Sequence, residues 1–143
     1  MVKIISERLN DLGKYKTQTK RTPDLILNDE WFLEFKVVRP YGDNSEVAEN
    51  WSVNMLHPYA GNTSLIGDAI KLISQNSNAR KAVILIGYEH QPPKISLNPL
   101  SVSFELILTQ VIQLKIGPRV EEIRTDLVHP EHQVVRCLGW ELI

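Results

Sequence analysis

The amino-acid sequence predicts an α/β domain, a mixed central sheet with flanking helices. Two observations carry that prediction. Segments with helical spacing of apolar residues alternate along the chain with segments of strand character. One of the latter, Lys81-Ala-Val-Ile-Leu-Ile-Gly-Tyr88, is a continuous β-branched and aliphatic run, the signature of a central strand covered on both faces.

Taken in order, Val2, Ile5, Leu9 and Leu12 recur at spacings of three and four, which predicts a short amphipathic helix stopped at Gly13. Lys14 to Lys20 alternates and contains threonines and a tyrosine, as a mostly polar strand does. After Pro23, Asp24-Leu-Ile-Leu27 reads as a short buried strand. Asn28-Asp29 then turns the chain into a hairpin with Trp31-Phe-Leu-Glu-Phe-Lys-Val-Val38. Residues 39–61 show no period, and loops of that length inside a compact domain are commonly functional. A cap at Thr63 or Ser64 opens a helix through Leu65, Ile66, Ala69, Ile70, Leu72 and Ile73, ending near Asn76. Gln91-Pro-Pro93 ends the central strand. Leu100 to Gln113 reads as a second long helix, and Val120–Leu127 and Val134–Leu142 as two late strands joined through His129-Pro-Glu-His132.

At 143 residues, 43% of them hydrophobic, the chain fits one domain spanning 1–143 around a single core. Sixteen basic against 17 acidic residues give a net charge of −1, which argues against coating nucleic acid by bulk charge but leaves room for a local basic groove. Cys137 is the only cysteine, so no internal disulfide forms, and its apolar neighbours predict an inert buried thiol. No run approaches the length of a membrane span and the first residues lack a signal-peptide core, so the expected location is cytoplasmic.

Side chains alternate faces along a strand, so Phe32, Glu34 and Lys36 share one face and Leu33, Phe35 and Val37 the other. Glu34 and Lys36 therefore stand roughly 7 Å apart on an otherwise apolar strand, where an unpaired charge is costly. If the hairpin pairs as expected, Asp24 converges with Glu34. Two carboxylates so placed suit Mg²⁺, which takes one or two carboxylates plus phosphate oxygens. Lys36 beside them would orient a water or neutralise charge building on phosphorus. The competing interpretation is a salt-bridged pair on an edge strand, with Asp24 as a turn residue after proline.

Pro23-Asp24 followed by Glu34-Phe35-Lys36 resembles the motif of the PD-(D/E)XK, or restriction-endonuclease-like, nuclease superfamily. The resemblance covers roughly residues 1 to 90 and includes the order helix, three-strand meander, helix, strand. It implies a restriction-endonuclease-like core and a metal-dependent endodeoxyribonuclease. In it Asp24 and Glu34 bind Mg²⁺ (with Mn²⁺ substituting) and Lys36 assists the nucleophile. Members that place a glutamate on the first helix suggest Glu7 as a further metal ligand, although the helical wheel sets Glu7 opposite the Val2, Ile5, Leu9 stripe.

Other signals are weaker. Lys14, Lys16 and Lys20 on one strand face, with Arg21 behind them and Arg39 after the motif strand, are candidates to contact a DNA backbone. The three lysines equally suit guards of an exposed strand edge. Arg39, Tyr41, Trp51, His57 and Tyr59 fit phosphate and base contacts or a protein interface alike. His129, Glu131 and His132 fall short of the three or four ligands zinc needs and read as an exposed turn. Trp140 reads as a core or interface residue. Asp68 and Lys71 read as a surface pair, with Lys71 also a candidate to reach the scissile phosphate. Cutting two strands with one site per chain predicts a homodimer. The alternative to an enzyme is a catalytically inactive nuclease-fold protein that binds nucleic acid or protein.

Overall fold

The computed structural model describes residues 1–59 and 63–143. Helix α1 spans Val2–Asp11, strands β1, β2 and β3 span Thr17–Thr19, Leu25–Leu27 and Trp31–Val38, and helices α2 and α3 span Val53–Leu56 and Leu65–Ile73. Strand β4 spans Arg80–Glu89. Helix α4, Asn98–Leu106, runs on into a π-helical turn, Ile107–Val111, before β5 (Val120–Arg124) and β6 (Val134–Leu142). The six strands form one sheet in the order β1-β2-β3-β4-β6-β5. Only β3 and β4 run parallel, and every other neighbouring pair is antiparallel. The chain is thus an α/β fold with a mixed open sheet and flanking helices.

Local chemistry sets the elements. Gly13 takes φ +67°, the left-handed backbone that ends α1. Asn28 and Asp29 both have positive φ, and Glu30 N–H closes the turn on Leu27 O at 3.0 Å. Ser64 caps α3 by accepting from Gly67 N–H at 3.0 Å while donating to His57 O at 2.7 Å. At the far end, the buried Lys81 ammonium on β4 donates to Ile73 O (3.3 Å) and Gln75 O (2.6 Å), a cation on the negative end of the helix.

The two sheet faces bury different layers. Val2, Ile5 and Leu9 of α1 pack on Leu25, Leu33, Phe35 and Ala82. On the opposite face α2, α3 and α4 cover Val38, Val83, Leu85, Leu138 and Trp140, the larger core. Trp140 is 1% exposed, packs at a tilt with its ring 4.7 Å from that of Phe104 and donates Nε1–H to Glu105 at 2.9 Å, so it is a core residue. Gly87 on β4 lies so close to Leu97 that a Cβ there would overlap its side chain.

Several expectations shift. The polar strand 14–20 shortens to Thr17–Thr19 because only that stretch finds partners on β2. The helix from Ser64 stops at Ile73, where Lys81 takes its carbonyls. The second long helix starts at Asn98, with Pro99 in its first turn, and loosens to π geometry after Leu106. Of the aperiodic loop, 53–56 is a helical turn around the buried Met55, and residues 60–62 lie outside the described set. Cys137 is exposed rather than buried, because the helices that cover β6 pack on the opposite face, over Leu138 and Trp140. Partial desolvation and the nearby Glu122 push its thiol pKa up, so it stays protonated. Among the described residues no helix is long and apolar enough to cross a membrane.

Candidate active site

Strand register brings Asp24 and Glu34 together. Leu25 pairs with Leu33 in the antiparallel β2–β3 ladder, and one further step sets Asp24 opposite Glu34 on the same face. Asp24 Oδ2 accepts the Phe35 N–H at 3.0 Å, which fixes its carboxylate across the strand gap. Glu34 is buried, and its carboxyl is pushed up to about 8. Burial is the largest cause, followed by the charges of Asp24 and Asp68 and a hydrogen bond with Asp24. At neutral pH Glu34 therefore carries a proton, and a cation that replaced it would relieve the same repulsion.

The cationic side is more elaborate than the sequence suggested. The Lys36 ammonium is 2.8 Å from Asp68 Oδ2 and also donates to Thr63 O. Lys71 Nζ holds the other oxygen, Oδ1, at 2.7 Å. Asp68 is 4% exposed, so it is no surface residue: α3 lays its first turn on the face of β3 that carries Glu34 and Lys36. Of the two ammoniums it is Lys71 whose charge lowers the Glu34 pKa. Asp68 and Lys71 thus join the predicted trio. The cap at Ser64 was a usable signal for where α3 begins, but no spacing in the sequence tells how a helix docks on a sheet.

The remaining candidates divide by position. Glu7 is exposed on α1, which covers the sheet face opposite Glu34 and Lys36, and is not brought to the site. Lys20 lies beside it, since its N–H donates to Asp24 O at 3.3 Å and extends the β1–β2 ladder. Arg21 is exposed next to it. Lys14 and Lys16 sit at the other end of β1, where Lys16 pairs with Asp29 at 3.4 Å. Arg39 pairs with Asp43 at 3.5 Å, beyond the end of β3. A groove of about 640 Å³ lies further along the sheet face that carries Glu34, lined by Gln18, Lys20, Asp29, Glu30, Phe32 and Arg80 among others but not by Asp24 or Glu34.

No family model, curated protein or solved structure matches the chain.

Proposed function

We propose that this chain is a Mg²⁺-dependent DNA phosphodiesterase, an endonuclease with a restriction-endonuclease-like core that works at Asp24, Glu34 and Lys36. The observation that carries the reading is the register-matched pair Asp24 and Glu34, whose repulsion in a buried setting demands a proton or a cation. The donor set fits the metal: two hard carboxylate oxygens, one anchored by a backbone N–H. When bound, Mg²⁺ supplies Lewis-acid polarisation of a phosphodiester.

The chain's own residues supply the rest. Glu34 gives up its proton as the site fills, and Asp24 stays oriented through Phe35 N–H. Water attacks phosphorus and releases a proton to solvent, and the P–O bond in line with it breaks. The departing oxygen takes up a proton to leave as a hydroxyl, and the Lys36 and Lys71 ammoniums neutralise charge gathering on the phosphate oxygens. Lys20, Arg21 and the neighbouring groove receive the flanking backbone, with Lys14, Lys16 and Arg39 further along the surface. Two copies, each cutting one strand, would make a homodimer the active form on duplex DNA.

One observation favours the second reading, a catalytically inactive nuclease-fold protein: Asp68 and Thr63 already engage the Lys36 ammonium. Incubation with plasmid and branched DNA in Mg²⁺ or Mn²⁺ separates the two. The nuclease reading expects cleavage that Asp24→Ala, Glu34→Gln and Lys36→Ala each abolish. No cleavage by a protein that still binds DNA selects the second reading, and cleavage that survives all three substitutions rejects the site.

A further inference from the structure

A second convergence of ligand-type side chains lies where the loop after β3 meets the turn before β6. Residues 41–47 form a small loop closed by a Tyr41–Val47 bridge and by Gly42 N–H to Glu46 O at 2.9 Å. This loop presents Asp43 to the His129-Pro-Glu-His132 turn. Glu131 is buried with both oxygens taken, Oε1 by Ser45 Oγ at 2.6 Å and Oε2 by His90 Nε2 at 2.5 Å. It fastens the two segments together and is not free to ligate. Asp43 supplies the carboxylate that the turn by itself lacks.

Asp43 Oδ1 is 3.8 Å from His129 Nε2 and 4.0 Å from His132 Nδ1, and ligand atoms of all three lie within 4.8 Å of one another. Those separations are too long for hydrogen bonds. Donors bound at roughly 2.0–2.2 Å to one tetrahedral cation stand about 3.3–3.6 Å apart, so these have to draw in by a few tenths of an ångström to share one. His132 Nε2 lies 3.0 Å from the Tyr41 carbonyl oxygen, to which it donates, so Nδ1 keeps its lone pair and faces Asp43. A carbonyl that fixes the far nitrogen in this way is the usual support of a metal-binding imidazole. His132 is buried and its ring stacks on His129 at 4.4 Å with planes 14° apart, so the more exposed His129 has to turn out of the stack before both lone pairs meet one cation.

Two contacts oppose a cation here and limit its affinity. His129 Nδ1 accepts from the N–H groups of Glu131 (3.1 Å) and His132 (3.2 Å), which sets the neutral ring's proton on Nε2. Ligation through Nε2 moves that proton to Nδ1 and turns both amides of the surface turn to water. Arg39, 3.5 Å from Asp43 and half-exposed, has to swing away.

We propose that Asp43, His129 and His132 form a binding site for a transition-metal cation of the Zn²⁺ class, separate from the Asp24–Glu34 centre. Two imidazoles and one carboxylate select Zn²⁺, Ni²⁺ or Cu²⁺ over Mg²⁺. Three protein ligands leave a coordination position open. The three side chains line a cavity of about 760 Å³ together with Tyr41, Trp51 and Tyr88, which would give a bound cation room for a small-molecule ligand.

Calorimetric titration of Zn²⁺ into the full chain tests this, run in parallel on Asp24→Asn so that the other carboxylates do not contribute. One equivalent should bind in both proteins, with excess Mg²⁺ unable to displace it. Asp43 is 71% exposed, so Asp43→Asn keeps the fold and should weaken binding at least about tenfold, as His129→Ala should. Arg39→Ala should tighten it, because the competing guanidinium is gone. Absence of Zn²⁺ binding, binding that Asp43→Asn leaves unchanged, or weakening by Arg39→Ala overturns the proposal. None of these outcomes depends on DNA cleavage.

Discussion

The Asp68 carboxylate, on α3, holds the Lys36 ammonium of β3 at 2.8 Å while its other oxygen holds Lys71. One buried acid therefore ties the helix to the motif strand and keeps two cations side by side. Removing it leaves Lys36, whose side chain is 20% exposed, without its anion. Asp68→Ala is expected to destabilise the fold by about 3 kcal/mol, measured by urea denaturation. Adding Lys36→Met should recover part of that loss, and a double mutant no more stable than Asp68→Ala argues against the coupling.

The Glu34 carboxyl gives stability a pH dependence of definite sign. Its folded pKa of about 8 lies above the ordinary 4.5, so between those values the folded chain holds a proton that the unfolded chain has released. Stability falls as pH rises through that window, by up to about 1.4 kcal/mol per unit, and levels off above it. Glu34→Gln should flatten the profile and raise the melting temperature at alkaline pH. An unchanged slope would mean that Glu34 is not the group responsible.

The same proton links pH to cation binding. Filling the Asp24–Glu34 centre releases the Glu34 proton, so Mg²⁺ affinity should strengthen with pH up to about 8 and then become constant. Calorimetry in buffers of different ionisation heat reads the proton directly, and Glu34→Gln should abolish its release.

Ser64 caps α3 four residues before Asp68. Ser64→Ala should cost about 1 kcal/mol in thermal or chemical denaturation. Ser64→Thr, which keeps a hydroxyl able to accept from Gly67 N–H and donate to His57 O, should retain most of that stability.

Gly87 abuts Leu97, which is fully buried and whose N–H donates to the buried Glu89 at 2.6 Å. The leucine has little room to retreat, so Gly87→Ala should destabilise by about 1–3 kcal/mol. In a Leu97→Ala background, itself destabilised by the lost core side chain, Gly87→Ala should cost less than it does in the parent chain.

How much was legible in the sequence follows from which forces are local. The Asn28-Asp29 turn fixes the register of β2 against β3, so the meeting of Asp24 with Glu34 could be read from the hairpin alone. The β-branched run 81–88 announced the central strand, and the strand Val134–Leu142 was read to its ends because Pro130 and the alternating core side chains bound it. Asp68 was misread as a surface residue because helical spacing shows which residues share a face but not which sheet face receives them. Asp43 was unreadable for a similar reason, since it meets His129 and His132 only through a loop closure that no period encodes. Cys137 reversed because an apolar run predicts burial on both sides of a strand, and β6 is covered on one.

Helix α3 is fastened at both ends, by the Ser64 hydroxyl where it begins and by the Lys81 ammonium on the central strand where it stops. Asp68 and Lys71 lie between those anchors. The entropy of gathering these charges around Lys36 is therefore spent when the chain folds. A substrate phosphate would meet a field already assembled, and its binding should draw little on the protein's conformational freedom.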